Sequence, residues 1–144
     1  MGSVGIFSKD FLTIYAETLK KLGTKKAWVF HSHDGLDEIS IFGKTDVVEI
    51  SPSGTKKILI DPRNFIKHDY KFEDIVGGDA EFNALKIMQL FNGENNAFLE
   101  IVSLNSAAAL LVVGKETLLE VAYNKVKQHI LSGSVLKTLE ALKK

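Results

Sequence analysis

Apolar residues recur along this chain at two spacings, and the switches between them lay out its elements. Between Asp10 and Leu22, the residues Leu12, Tyr15, Ala16, Leu19 and Leu22 fall three and four apart. That spacing is one face of a helix, with Ser8 able to cap its start and Gly23 able to end it. The run Ala27-Trp28-Val29-Phe30 then has no polar interruption, which predicts a strand over Lys26–Phe30 that is covered on both faces. Two further strands are predicted over Asp46–Ile50 and Lys56–Ile60, forming a hairpin around Ser51-Pro52-Ser53-Gly54-Thr55, with Asp61-Pro62 closing the unit. Helical spacing returns with Phe82, Leu85, Met88 and Phe91, capped by Asp79 and stopped by Asn92-Gly93. The segment Asn96–Val113 is apolar almost all round, which predicts a helix buried on most faces. Gly114 separates it from a helix over Glu116–Leu131, and Ser132-Gly133-Ser134 opens a last short helix bearing Leu136, Leu139 and Leu142.

These elements imply an unusual balance. About three strands must support about five helices, one of which wants burial on every side. The chain therefore reads as a single incomplete α/β domain over residues 1–144, with part of its sheet to be supplied from elsewhere. Met1-Gly2-Ser3 is compatible with a cloning scar and is expected to take no part in the fold. No repeat, low-complexity tract or internal linker is present.

Composition narrows the function classes. Eighteen basic and eighteen acidic side chains cancel, which offers no electrostatic footprint for nucleic acid or an anionic membrane. Arg63 is the only arginine, so a phosphate ligand would have to be held by lysine, backbone amides or a metal. Cysteine is absent, which excludes disulfides and zinc–thiolate sites and fits a reducing cytoplasm. The longest apolar run, Ala107 to Val113, falls far short of the roughly 18 residues that span a bilayer. Met1 to Gly5 carries no basic stretch of a signal peptide. The expectation is a soluble cytoplasmic protein.

The densest chemistry lies in His31-Ser32-His33-Asp34-Gly35-Leu36-Asp37-Glu38-Ile39-Ser40, directly behind the apolar strand. Asp34, Asp37 and Glu38 repel one another unless water or a cation separates them. Carboxylates at the C-terminal end of a strand are the hard oxygen donors Mg²⁺ prefers, and a solvated acidic turn has the same composition. Adjacent Asp37 and Glu38 diverge in a regular strand, so joint ligation requires a turn, which Gly35 can help to form. His31 and His33 are candidate acids or bases, or ordinary strand-end histidines without a nucleophile in reach. Gly77-Gly78-Asp79 can cradle an anion or simply start a helix; Asp79 places negative charge where an anion would sit and favours the second reading. Asn105 lies within the most apolar helix, where a buried amide is expected to bond a neighbouring loop. No Ser-His-Asp arrangement, Walker motif or GxGxxG run is present.

Taken in order, five segments resemble the C-terminal part of anthranilate phosphoribosyltransferase. They are Gly5-Ile6-Phe7-Ser8; Tyr15-Ala16-Glu17 with Leu22-Gly23; His31 to Ser40; Gly77-Gly78-Asp79-Ala80 with Asn83-Ala84; and Leu104-Asn105-Ser106-Ala107-Ala108-Ala109-Leu110. The loop at His31–Ser40 is the most specific match, although Ser32 stands where the family has glycine and a second histidine, His33, follows. The resemblance implies the α/β domain of the phosphoribosyltransferase and nucleoside phosphorylase type. It also implies transfer of phosphoribose from phosphoribosyl pyrophosphate to anthranilate, in tryptophan biosynthesis. The family's adjacent Asp-Glu pair binds Mg²⁺ that engages the pyrophosphate, and the matching residues are Asp37 and Glu38. Breaking the ribose C1–O bond builds negative charge on the leaving pyrophosphate, which a metal offsets.

The family's GTGGD-type phosphate loop, its KHGN segment and its anthranilate-binding helical domain have no match in this chain. The chain by itself is therefore expected to be inactive, and to need a complementary N-terminal half or a homo-oligomeric partner. The competing expectation is a non-catalytic binding or assembly module that reuses the fold.

Overall fold

The computed structural model describes residues 1–142 and contains a four-stranded sheet with five helices. The strands are β1 (Gly2–Gly5), β2 (Ala27–Ser32), β3 (Thr45–Ser51) and β4 (Gly54–Ile60), lying in sequence order across the sheet. β1 runs parallel to β2, and the pairs β2–β3 and β3–β4 are antiparallel. The helices are α1 (Leu12–Lys21), α2 (Ala80–Phe91), α3 (Ala97–Val112), α4 (Leu119–Leu131) and α5 (Ser134–Leu142).

Two-sided burial of β2 follows from its unbroken apolar sequence. Ala27 and Val29 turn toward α1, packing with Leu12, Ala16, Val48 and Ile50. Trp28 and Phe30 turn to the other face, where Leu104, Ala107, Ala108 and Val112 of α3 complete the larger core. The molecule is thus three layers, with α1 on one side of the sheet and α3 on the other. A third cluster, Leu90, Leu99 and Ile130, joins α2, α3 and α4.

Most predicted elements are present, with shifted ends. The first helix begins as a 3-10 turn over Lys9–Phe11, where the Ser8 hydroxyl accepts from the Asp10 N–H at 3.4 Å, and Gly23 ends α1 with φ +86°. The hairpin strands run farther into the turn than the apolar pattern indicates. Ser51 pairs with Gly54, leaving only Pro52-Ser53 between them, and Gly54 has φ +132°. The helix expected from Glu116 starts at Leu119.

One correction concerns the sheet. Gly2 and Ser3, set aside in reading the sequence, form β1 with Val4 and Gly5 and pair with Ala27 and Trp28 of β2. Backbone pairing needs no apolar side chain, and a strand of two glycines and a serine has no periodicity to display.

β1 is an edge strand: in the described sheet it pairs only with β2. Next to it, α3 leaves a half-exposed stripe of Phe98, Ile101, Val102, Asn105, Ser106 and Leu110. Two apolar grooves of about 280 and 290 Å³ lie along this stripe. The expectation that α3 needs more cover than this sheet provides matches its half-exposed face. No helix among the described residues is long and apolar enough to cross a membrane.

Candidate functional site

The acidic loop leaves β2 at Ser32 and returns to β3 at Thr45, and its shape is set by three buried hydroxyls. Ser32, Ser40 and Thr45 are all fully buried. The Ser32 hydroxyl donates to the Glu38 carbonyl at 2.5 Å, so its oxygen is free to accept from the Thr45 hydroxyl at 2.7 Å and the Ser40 N–H at 3.1 Å. The Ser40 hydroxyl donates to the Asp34 carboxylate and accepts from the Phe42 N–H at 2.9 Å. Each of these three buried hydroxyls thereby has a partner, as burial demands. Sequence reading registered Ser32 only as a departure from a family glycine and gave Ser40 and Thr45 no role. Their signal was faint: hydroxyl residues flanking a turn between two apolar strands.

Asp34 belongs to this frame. Besides Ser40 it accepts from the Leu36 N–H at 3.3 Å, an arrangement that closes the turn around Gly35, whose φ is +94°. Asp37 and Glu38 differ from it, because among the described residues neither carboxylate has a hydrogen-bond or ion-pair partner, and both side chains are exposed. They lie in a bend rather than a strand, which removes the objection that neighbouring side chains must diverge. Although Glu38 is exposed overall, partial desolvation beside the α3 groove, reinforced by the negative charge of Asp37, pushes its carboxyl above its ordinary value.

Two neighbouring elements touch the backbone beside this pair. A Cβ placed on Gly5 would sit 1.4 Å from the Asp37 carbonyl oxygen, so the end of β1 meets the loop at a distance only glycine permits. From α3, the Asn105 side-chain oxygen accepts from the Ile39 N–H and its amide nitrogen donates to the Ile39 carbonyl, both at 2.9 Å. This is the loop contact expected of Asn105.

The histidines have separate partners. His31 Nδ1–H donates to the Ile6 carbonyl at 2.8 Å, joining β2 to the segment after β1. His33 Nε2 and Lys9 Nζ meet the same Asp46 oxygen at 2.9 and 2.7 Å. Burial acts to raise the Asp46 carboxyl, but Lys9 and His33 outweigh it and hold the group below its usual range. Gly77-Gly78-Asp79 is a capped helix start. Asp79 accepts from the Phe82 N–H at 2.8 Å, and the Gly78 N–H is bonded to Asn83 rather than open to an anion.

Among the described residues, no group of three or more histidine, aspartate or glutamate side chains converges as a metal cage. Asp37 and Glu38 nevertheless suit a magnesium ion, which takes one or two protein carboxylates and fills its other positions with water and phosphate oxygens. They are hard oxygen donors, uncommitted and mutually repelling, on backbone held by Ser32, Gly5 and Asn105.

Comparison with known proteins extends the likeness along nearly all of the chain. The anthranilate phosphoribosyltransferase of Pelagibacter ubique is 43% identical over 139 residues, which is 96% of this chain and 42% of that protein. The Myxococcus xanthus protein of the same name is 39% identical over 140 residues, 96% of this chain and 41% of that one. Among solved structures, anthranilate phosphoribosyltransferase from Thermus thermophilus has a TM-score of 0.82 at 28% identity, covering 95% of this chain and 40% of that one. The Saccharomyces cerevisiae protein, in complex with PRPP and Mg, shares the fold with a TM-score of 0.82 at 23% identity over 96% of this chain and 40% of its own. The chain thus spans about two-fifths of the length of these relatives. A sequence profile described as the glycosyl transferase family, a/b domain, matches residues 2–136, from the first residues of β1 into α5, and this chain belongs to that family.

Proposed function

We propose that this chain is the metal-binding portion of an anthranilate phosphoribosyltransferase, acting in the cytoplasm in tryptophan biosynthesis. Asp37 and Glu38 would hold Mg²⁺, which supplies positive charge for the pyrophosphate of phosphoribosyl pyrophosphate as it leaves. The observation that carries this reading is the uncommitted acid pair on a backbone fixed from several sides. The related yeast protein, solved with PRPP and Mg, supports it. The remaining residues of the site position rather than react: Ser32 holds the Glu38 carbonyl, Asp34 and Ser40 close the turn, and Gly5 admits the loop against β1.

Transfer of phosphoribose requires both substrates to be held in register, and positioning of that kind supplies much of such catalysis. By the resemblance, the groups that hold the ribose phosphate and anthranilate belong to the portion of the family that this chain does not span. The complementary portion docks at the edge of β1, whose Gly5 meets the Asp37 carbonyl, and over the half-exposed stripe of α3, which borders Glu38. β1 pairs in parallel with β2, and strands added beside it would widen the sheet beneath α3.

The test is a titration of Mn²⁺, as a paramagnetic stand-in, with and without inorganic pyrophosphate. Weak binding strengthened by pyrophosphate, and lost in Asp37→Asn with Glu38→Gln, is the expected result. Equal binding by the double variant sinks the site and favours a non-catalytic module. A second assay mixes the chain with a polypeptide carrying the GTGGD-type loop; transfer to anthranilate is expected only in the mixture.

A further inference from the structure

The amide of Asn105 engages both backbone polar groups of one residue, Ile39, immediately after Glu38. Its oxygen accepts the Ile39 N–H and its nitrogen donates to the Ile39 carbonyl, each at 2.9 Å. The second amide hydrogen donates to the Ile101 carbonyl one turn back on α3, also at 2.9 Å, which fixes the side-chain rotamer. Only an amide offers a donor pair and an acceptor together, so neither aspartate nor leucine can make this set. Ile39 itself is fully buried in the main core, and the Glu38 side chain shares a groove with Ile101, Val102 and Asn105. Gly5 of β1 abuts the Asp37 carbonyl.

We propose that Asn105 is a positioning residue for the Asp37–Glu38 pair, clamping the loop against α3 while Gly5 of β1 abuts the Asp37 carbonyl. The inference rests on the metal-binding reading of that pair. A clamp from a helix fixes where the two carboxylates start from, so the ion meets a prepared backbone. Partners of this outer kind change metal affinity without touching the metal. Both clamping elements also carry unpartnered surface, the edge of β1 and the stripe of α3. Docking of a complementary polypeptide there therefore bears directly on the geometry of the acid pair.

The experiment uses the whole chain and three variants, Asn105→Leu, Asn105→Asp and Ser106→Ala, the last a neighbour on the same stripe that does not contact the loop through a hydrogen bond. Mn²⁺ affinity in the presence of inorganic pyrophosphate is measured well below the melting temperature of each, together with amide hydrogen exchange. Both Asn105 variants are expected to weaken Mn²⁺ binding by about tenfold or more. They should also speed exchange at Ile39 by at least about tenfold, with Ser106→Ala leaving both unchanged. Unchanged affinity in Asn105→Leu, with wild-type binding that depends on Asp37 and Glu38, overturns the clamp and leaves the metal site standing. Wild-type binding that does not depend on Asp37 and Glu38 overturns the metal reading and the positioning role with it. In that case, fast exchange at Ile39 in Asn105→Leu still identifies a purely structural contact. Should Asn105→Leu fail to fold, Asn105→Asp, which keeps the size of the side chain, decides the matter by the same readouts.

Discussion

Two carboxylate regions lean on opposite faces of α3, and they treat their charge in opposite ways. Glu100 points into the junction with α4, only 1% exposed, where one oxygen accepts from the Tyr123 hydroxyl and the other meets Lys127 Nζ at 2.7 Å. Burial and the neighbouring carboxylate push the Tyr123 hydroxyl far above its usual range, so it stays protonated and remains a donor. Among the described residues Asp37 and Glu38 have no such partners; their backbone is held while their oxygens are left free. A carboxylate committed to internal bonds is part of the fold, and one whose backbone is fixed but whose oxygens are open is available to a ligand. Acidic residues alone do not distinguish these cases. What occupies the oxygens does.

Breaking the buried side of this contrast should have the largest effect. Glu100→Ala leaves the Lys127 ammonium and the Tyr123 hydroxyl facing each other without a counter-charge. Removal of one member of a buried pair costs about 3–5 kcal/mol, measurable by urea unfolding. A loss below about 1 kcal/mol would show that water reaches the cluster.

Gly5→Ala should come next, because its new methyl group overlaps the Asp37 carbonyl and the backbone must move. A cost of about 1–3 kcal/mol is expected, together with shifted NMR signals for Asp37 and Glu38. Unshifted loop signals would mean that β1 and the loop are not in contact in solution.

Neutralising the open side should barely touch stability. Asp37→Asn with Glu38→Gln is expected to stay within about 0.5 kcal/mol of wild type while losing pyrophosphate-enhanced Mn²⁺ binding. Asp34→Asn should only reduce that binding, because Asp34 acts on the turn through Ser40 and Leu36. Strong destabilisation by the double substitution would place the pair with Glu100, as part of the fold.

The smallest effect concerns pH. The Glu38 carboxyl titrates higher in the folded chain than in the unfolded one, through burial and then Asp37. The folded state therefore holds that proton more tightly, and stability falls as pH rises from the ordinary glutamate value through the folded one. Glu38→Gln removes this loss. In metal-free melts from about pH 4 to about pH 6, the variant should match wild type at the acid end and gain slightly on it as pH rises. A gap that closes with rising pH would contradict the sign.

Legibility followed the same division between local and distant causes. The helix starts at Ser8 and Asp79 were readable because a capping side chain acts on a backbone N–H two or three residues away. The two-sided burial of β2 was readable from Ala27 to Phe30 because a continuous apolar run leaves no face for water. β1 was missed, since its sequence carries no pattern and its pairing depends on β2, more than twenty residues downstream. In the acidic loop, the three carboxylates stood out in the sequence, but their sorting did not. Asp34 became part of the frame through Ser40, and Asp37 and Glu38 stayed open, by contacts that the chain's spacing does not encode.

The sequence by itself determined the kinds and order of the elements from α1 onward and the presence of an acidic turn behind a buried strand. Those follow from interactions within a few residues, where periodicity and capping act. Only the tertiary structure decided that Asn105, sixty-six residues from Ile39, would grip the loop, and that Gly5 would lie against Asp37. Hydrogen bonds and close approaches between distant segments depend on how the layers pack, and no local pattern carries that information. The open carboxylates belong to the sequence; the held backbone beneath them belongs to the fold.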